Sequence, residues 1–205
     1  MAEEIELKLA IAAHEYRRFM AHPLLRAASE RHRELLDTTY FDTPELDLRR
    51  HGVALRVRRI GHRRLQTVKL AAIARKGLSV RSEWETPYTG RFDFSPVDVV
   101  EVREWLEHSD IGGRLGPMFR TRFRRNTWHL PLAGGGEVLV ALDRGAVHSG
   151  GLEEPISEVE LELSGGGTAS DLESLAKRLA ERVSLTPANL SKAQRGYLLL
   201  ARSST

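Results

Sequence analysis

A chain of 205 residues with 29% charged side chains, a formal charge of +3 and no cysteine is long enough to bury a core in one domain and has neither disulfides nor thiolate metal sites. The mild net charge argues against a simple polyanion sponge, and no apolar run reaches the roughly 18 residues of a membrane-spanning helix. Acids at Glu3 and Glu4, with no apolar stretch behind them, do not read as a signal peptide, so a cytoplasmic protein is expected.

In chain order, EIELKL (4–9) opens a strand over 4–11, with Glu4, Glu6 and Lys8 on one face and Ile5, Leu7 and Leu9 on the other. Residues 13–28 read as a helix broken near Pro23. Strands follow over 34–43, 53–60 and 64–71. Arg56 and Arg58 share a face of the second, and Thr67 and Lys69 share a face of the third. A strand over 78–87 sets Arg81, Glu83 and Glu85 opposite Trp84. Ser95-Pro96 predicts a helix start, running to about His108. Strands are expected over 118–132, 137–145 and 156–165, the last with Glu158, Glu160 and Glu162 on one face. Ser170 to Glu173 fits a capping box for a helix to about Val183. A final helix is expected over 189–201. Many short, turn-separated strands without repeats or linkers predict an antiparallel barrel or sandwich with added helices.

Each alternating strand alone fits an ordinary sheet with one wet face. Together they do not. Rows of like charge are unfavourable unless countered, and here two acidic rows lie at opposite ends of the chain with Arg/Lys rows between. A closed barrel turns one side of every strand inward, which would give a charged lumen and an apolar outside covered by helices. Oxygen-only ligands select a hard cation, Mg²⁺ or Mn²⁺. Guanidinium forks match phosphate oxygens. Metal plus a dense basic lining points to a polyphosphate substrate and phosphoryl or nucleotidyl transfer.

These residues resemble those of the CYTH family, the triphosphate tunnel metalloenzymes. EIELK matches its E-x-E-x-K signature. The likeness continues in order through YFDT (40–43), ALRVR (54–58), QTVK (66–69), RSEWE (81–85), FRTRFRR (119–125), ALDRG (141–145), SEVELEL (157–163) and SKAQRGY (191–197). The resemblance covers essentially the whole chain as a single domain, 1–205. It implies an α+β fold, an eight-stranded antiparallel β-barrel forming a tunnel with a polar charged lumen, flanked by helices. It also implies metal-dependent hydrolysis of a triphosphate, with inorganic triphosphate the leading substrate. Thiamine triphosphate hydrolysis and ATP cyclisation are the alternatives on the same fold.

Carried over by position, Glu4 and Glu6 resemble metal ligands, joined by a pair among Glu158, Glu160 and Glu162. Glu83, Glu85 and Asp143 complete the metal candidates. Lys8 and Lys192 resemble catalytic lysines that also touch substrate. Arg56, Arg58, Lys69, Arg81 and Arg125 resemble phosphate binders. Parity does not select Arg125, because Arg120, Arg122 and Arg124 share the opposite face, where a solvated barrel rim is the simpler reading. Some relatives carry a second, histidine-rich helical domain. The chain ends at Thr205, so that domain is expected to be absent. A homodimer is compatible with these features. The histidines show no zinc spacing. The reading from another class is an Arg-rich ribbon over 49–64 and 119–125 that binds polyphosphate or nucleic acid without chemistry. Carboxylate rows and sparse aromatics count against nucleic acid.

Overall fold

The computed structural model describes residues 2–72 and 74–203. Nine strands make one sheet: β1 (Ala2–Ile11), β2 (Glu30–Asp42), β3 (Val53–Ile60), β4 (Arg63–Leu70), β5 (Leu78–Pro87), β6 (Gly116–Pro131), β7 (Glu137–Ser149), β8 (Leu152–Ser164) and β9 (Leu185–Pro187). Their order is β5-β4-β3-β2-β6-β7-β8-β1-β9, and an additional β5–β1 pairing closes the first eight into an antiparallel barrel. One edge of β1 serves two partners in turn: Ala2 to Leu7 pair with β5, and Leu9 to Ile11 pair with β9. At the changeover the Lys8 amide donates to the Gly77 carbonyl at 2.9 Å. Gly77 sits at φ +85, and a Cβ there would fall 2.3 Å from the Lys8 carbonyl oxygen, so only glycine fits.

Among the described residues seven α-helices decorate the barrel: α1 (Tyr16–Met20), α2 (Pro23–Arg26), α3 (Asp47–Arg50), α4 (Val100–Glu107), α5 (Ser109–Gly112), α6 (Ala169–Ala180) and α7 (Lys192–Ser203). Leu7, Leu9 and Ile11 are buried outside the barrel with Val138, Val140 and Leu142 of β7, Leu172, Leu175 and Leu179 of α6, and Phe19 and Leu25 of α1 and α2. Burying each such side chain stabilises the fold by roughly 1.5–3 kcal/mol. A second cluster lies outside β3, β4 and β5, where Leu55, Val68 and Trp84 meet Phe94, Val97, Leu106 and Ile111.

The 13–28 segment is a 3-10 turn over Ala13–Glu15 followed by two short helices, with the expected break just before Pro23. Two local expectations are corrected. Ser95-Pro96 starts no helix. The Asp93 carboxylate accepts from the Ser95 amide at 3.0 Å and its hydroxyl at 2.6 Å, while Phe94 and Val97 are buried. Helix α4 therefore begins only at Val100. The capping box of α6 is Thr168 with Asp171, not Ser170 with Glu173: Asp171 accepts from the Thr168 amide at 2.8 Å.

The wall formed by β2 and β6 sets Arg120, Arg122 and Arg124 on its solvated outer face opposite Arg125, as expected. Its outer face carries Arg122 and Arg124, exposed, and Asp37 paired with Arg120. Its inner face is mostly apolar around the buried Thr38 and Thr121, and turns charged at Arg125. There Leu36, Tyr40, Phe119 and Phe123 pack with Val147, Ile156 and the α7 residues Tyr197 and Leu199. The lumen is thus charged along β1, β3, β4, β5 and β8 and at Arg125 of β6, while the rest of its β2–β6 side is packed against α7.

Candidate active site: a charged tunnel

A cavity of about 850 Å³ runs through the barrel, bordered by Glu4, Glu6, Lys8, Arg56, Arg58, Lys69, Arg81, Glu83, Glu85, Arg125, Glu160, Glu162 and Lys192. All thirteen were expected site residues. The remaining two, Asp143 and Glu158, lie beneath this lining.

Register explains the acidic wall. Across β1 and β8, Glu6 faces Glu162 and Lys8 faces Glu160. Two carboxylates directly opposite each other repel. Lys8 Nζ lies 3.3 Å from Glu6 and 3.7 Å from Glu160. On the other edge of β1, Arg81 pairs with Glu4 in register. Its Nε donates to Glu4 at 2.6 Å and its Nη2 to Glu6 at 3.4 Å. Lys69 donates to Glu4 at 3.1 Å and lies 2.5 Å from Glu83. Burial raises the affinity of Glu4 for its proton, but Lys69 and Arg81 outweigh that and hold its carboxyl far below the usual range.

Behind the lining, Arg125 grips Asp143 with two bonds, at 2.8 and 2.6 Å, and also reaches Glu160. Lys192, at the start of α7, lies 2.7 Å from Asp143 and 2.8 Å from Glu160, and also binds Glu158. Arg195, one turn on, donates to Glu154 at 2.7 Å and to Glu158 at 3.4 Å. Burial opposes ionisation of Glu160, yet Lys192, Arg125 and Lys8 keep it firmly ionised.

Two groups are left with unanswered charge. Glu162 makes no ion pair among the described residues, and burial together with Glu4, Glu6 and Glu83 pushes its carboxyl up to about 7. Burial and Glu160 likewise raise Glu6 despite Lys8 and Arg81. Arg58 is the opposite case. Among the described residues its one hydrogen bond goes to Thr38 Oγ1 at 3.4 Å, and burial, Arg56 and Arg125 bring its guanidinium down to about 10. Neighbouring Arg56 has Glu83 at 3.4 Å. Glu85 accepts from Thr67 at 3.1 Å.

Oxygens of Asp143, Glu158 and Glu160 converge within 4.8 Å, but Lys192 already sits among them. A divalent cation there would have to displace a buried ammonium. The Glu4, Glu6 and Glu162 side of the tunnel has oxygen donors and excess negative charge, which suits a hard cation.

The CYTH domain family model matches residues 2–197. The chain belongs to the CYTH domain family. This CYTH domain is 30% identical over 203 residues to the inorganic triphosphatase of Haemophilus influenzae, spanning 97% of this chain and 55% of that protein. It thus covers about half the length of that curated relative. Among solved structures it resembles HpAC1 from Hippeastrum, described as an adenylyl cyclase candidate with a dominant triphosphatase activity (TM-score 0.67, 18% identity, 95% of both chains). It also resembles PH1819 from Pyrococcus horikoshii (TM-score 0.59, 23% identity, 97% and 99%). At these identities the structural likeness speaks for the barrel fold.

Sequence reasoning missed Arg195, although it lies three residues after Lys192 on one helix, the spacing that shares a face. It also missed Asn189, whose side-chain oxygen accepts from the Gly77 amide at 2.9 Å and which borders the tunnel. No local pattern marks that residue.

Proposed function

We propose that this CYTH domain hydrolyses a triphosphate, with inorganic triphosphate the leading substrate, and that it does so with Mg²⁺ or Mn²⁺. One observation carries the reading: across one tunnel Glu162 makes no ion pair and Arg58 meets no carboxylate among the described residues, while Glu6 stays raised by burial and Glu160 despite Lys8 and Arg81. A metal–triphosphate complex answers both. Glu4, Glu6 and Glu162, with Glu160 beside them, would hold the ion. There the ion supplies Lewis-acid neutralisation of phosphate charge and activation of water.

The chain's own residues do the rest. Arg58, Arg56 and Lys69 bind phosphate oxygens from β3 and β4. Lys192 and Arg125 add positive charge where the leaving diphosphate accumulates negative charge. Asp143 and Glu158 hold these cations in place rather than binding metal. Water adds its oxygen to the terminal phosphorus and gives up a proton, the bridging P–O bond breaks, and diphosphate leaves with that bond's electron pair.

A second reading has its own support. At the α7 end the cavity is bordered by Ala71, Ala72, Ala74, Leu190 and Leu198, and both leucines are nearly half exposed. That apolar rim suits the organic part of thiamine triphosphate or a nucleoside triphosphate. A panel of inorganic triphosphate, thiamine triphosphate, ATP, GTP and pyrophosphate, with Mg²⁺ or Mn²⁺, separates the readings. Phosphate release from inorganic triphosphate, lost in Glu6→Gln, is expected. Metal-independent binding without turnover of any of them would favour a non-catalytic polyphosphate binder.

A further inference from the structure

A second group of ligating side chains lies at the end of the barrel where β2 begins and β6 ends. Glu30 and His129 are direct cross-strand partners, and His32 pairs with Thr127. Glu30, His32 and His129 therefore stand on one face. It is the face that carries Arg125, four residues and about 13 Å along β6. One ligand atom from each of the three lies within 4.8 Å of the other two. The imidazoles of His32 and His129 meet edge to face at 5.8 Å, and His32 Nε2 is 3.1 Å from Glu30 Oε2.

Glu137 supplies the independent observation. Its carboxylate lies 2.7 Å from His129 Nδ1. A carboxylate accepts, so in the neutral imidazole this contact favours the tautomer with the proton on Nδ1 and the lone pair on Nε2. This carboxylate–histidine arrangement is the one that orients metal-binding imidazoles elsewhere. Ligand atoms around a tetrahedral zinc ion sit about 3.4 Å apart. Small side-chain rotations reach that spacing, since Glu30 and His32 are 64% and 57% exposed.

We infer that Glu30, His32 and His129 bind a divalent transition-metal ion of the zinc class, with Glu137 orienting His129. Two imidazoles and one carboxylate differ in kind from the all-oxygen acids of the tunnel. The metal replaces the proton shared by His32 and Glu30, and its fourth position stays open to water.

The test is a Co²⁺ titration of the full chain in excess Mg²⁺, which occupies the hard-ligand tunnel, followed by visible absorption. The wild type should develop the intense band of four-coordinate Co²⁺ with a 1:1 endpoint, and Zn²⁺ should abolish it. His32→Ala and His129→Ala should each weaken binding at least 100-fold with unchanged melting temperature, and Glu137→Gln about 10–100-fold. Glu162→Gln, in the tunnel, should leave the band intact. No band in the wild type, a band that survives both histidine variants, or a band lost in Glu162→Gln would overturn the inference.

Discussion

The Tyr197 hydroxyl donates to Asp42 Oδ2 at 2.7 Å, joining α7 to the end of β2, 155 residues away in the chain. The same carboxylate accepts the Leu48 and Arg49 amides at 2.8 and 3.0 Å, capping the start of α3. Helix α7 also carries Lys192 among Asp143, Glu158 and Glu160, so this one buried carboxylate helps set where that ammonium stands. Tyr197→Phe leaves the ring packing and removes the bond. It should lower stability by about 1–2 kcal/mol and reduce kcat more than it changes KM. Wild-type kcat with lowered stability would confine the bond to a structural role.

Gly196 lies against Phe119. A Cβ at Gly196 would fall 1.9 Å from the Phe119 ring. Alanine in a helix interior normally gains about 1 kcal/mol over glycine, whereas overpacking costs roughly 1–3 kcal/mol, and a contact this close lies at the costly end. Gly196→Ala should therefore lower the melting temperature and displace Lys192, with activity falling as well. A variant as stable and active as wild type would show that α7 docks less tightly.

Arg58 is half-buried and has no carboxylate partner among the described residues, so removing it should not cost stability. A charge-assisted bond to phosphate contributes about 1.5–3 kcal/mol. Arg58→Ala should raise KM for triphosphate by about 10- to 150-fold with the melting temperature unchanged or higher. Unchanged KM would remove Arg58 from the phosphate grip.

Glu162 is pushed up to about 7 by burial and three neighbouring carboxylates. Above that pH, its charge destabilises the metal-free protein relative to the unfolded chain, where the carboxyl ionises near 4.5. The native state holds the extra proton, so this group's contribution to stability falls as pH rises from about 4.5 to 7. Glu162→Gln at pH 8 should raise the metal-free melting temperature and shrink the increase that Mn²⁺ produces. A full Mn²⁺ shift in the variant would take Glu162 out of the metal site.

Asp37 shows the opposite sign. Hydrogen bonds from Arg120, with burial opposing and Arg59 adding, lower its carboxyl below the usual range. Its stabilisation is therefore present above the unfolded value of about 3.8 and is lost as pH falls through the depressed value. Arg120 and Arg59 are half or more exposed, so screening limits the effect to about 1 kcal/mol. Asp37→Asn should be less stable than wild type at pH 7, and the two should converge in acid as pH falls through the depressed value. A difference that persists there would mean a packing effect instead.

By itself the sequence determined the face of each charged residue. Alternation has period two and is local, so Glu4 and Glu6, Arg56 and Arg58, and Glu158 to Glu162 could be placed on shared faces before any strand was paired. The apolar Leu7 and Leu9 under α6 followed from the same count. Tertiary structure decided which charges are already answered. Among three equivalent-looking glutamates of β8, Glu158 and Glu160 are matched by Lys192, Arg125 and Arg195, and Glu162 is not. It also decided that the inner face of β2 and β6 is packed by α7, and that Asp93 rather than a helix takes Ser95. Those outcomes depend on register between distant strands and on where a C-terminal helix lands. Coulomb energy acts through space and follows distance and burial, which chain order does not encode.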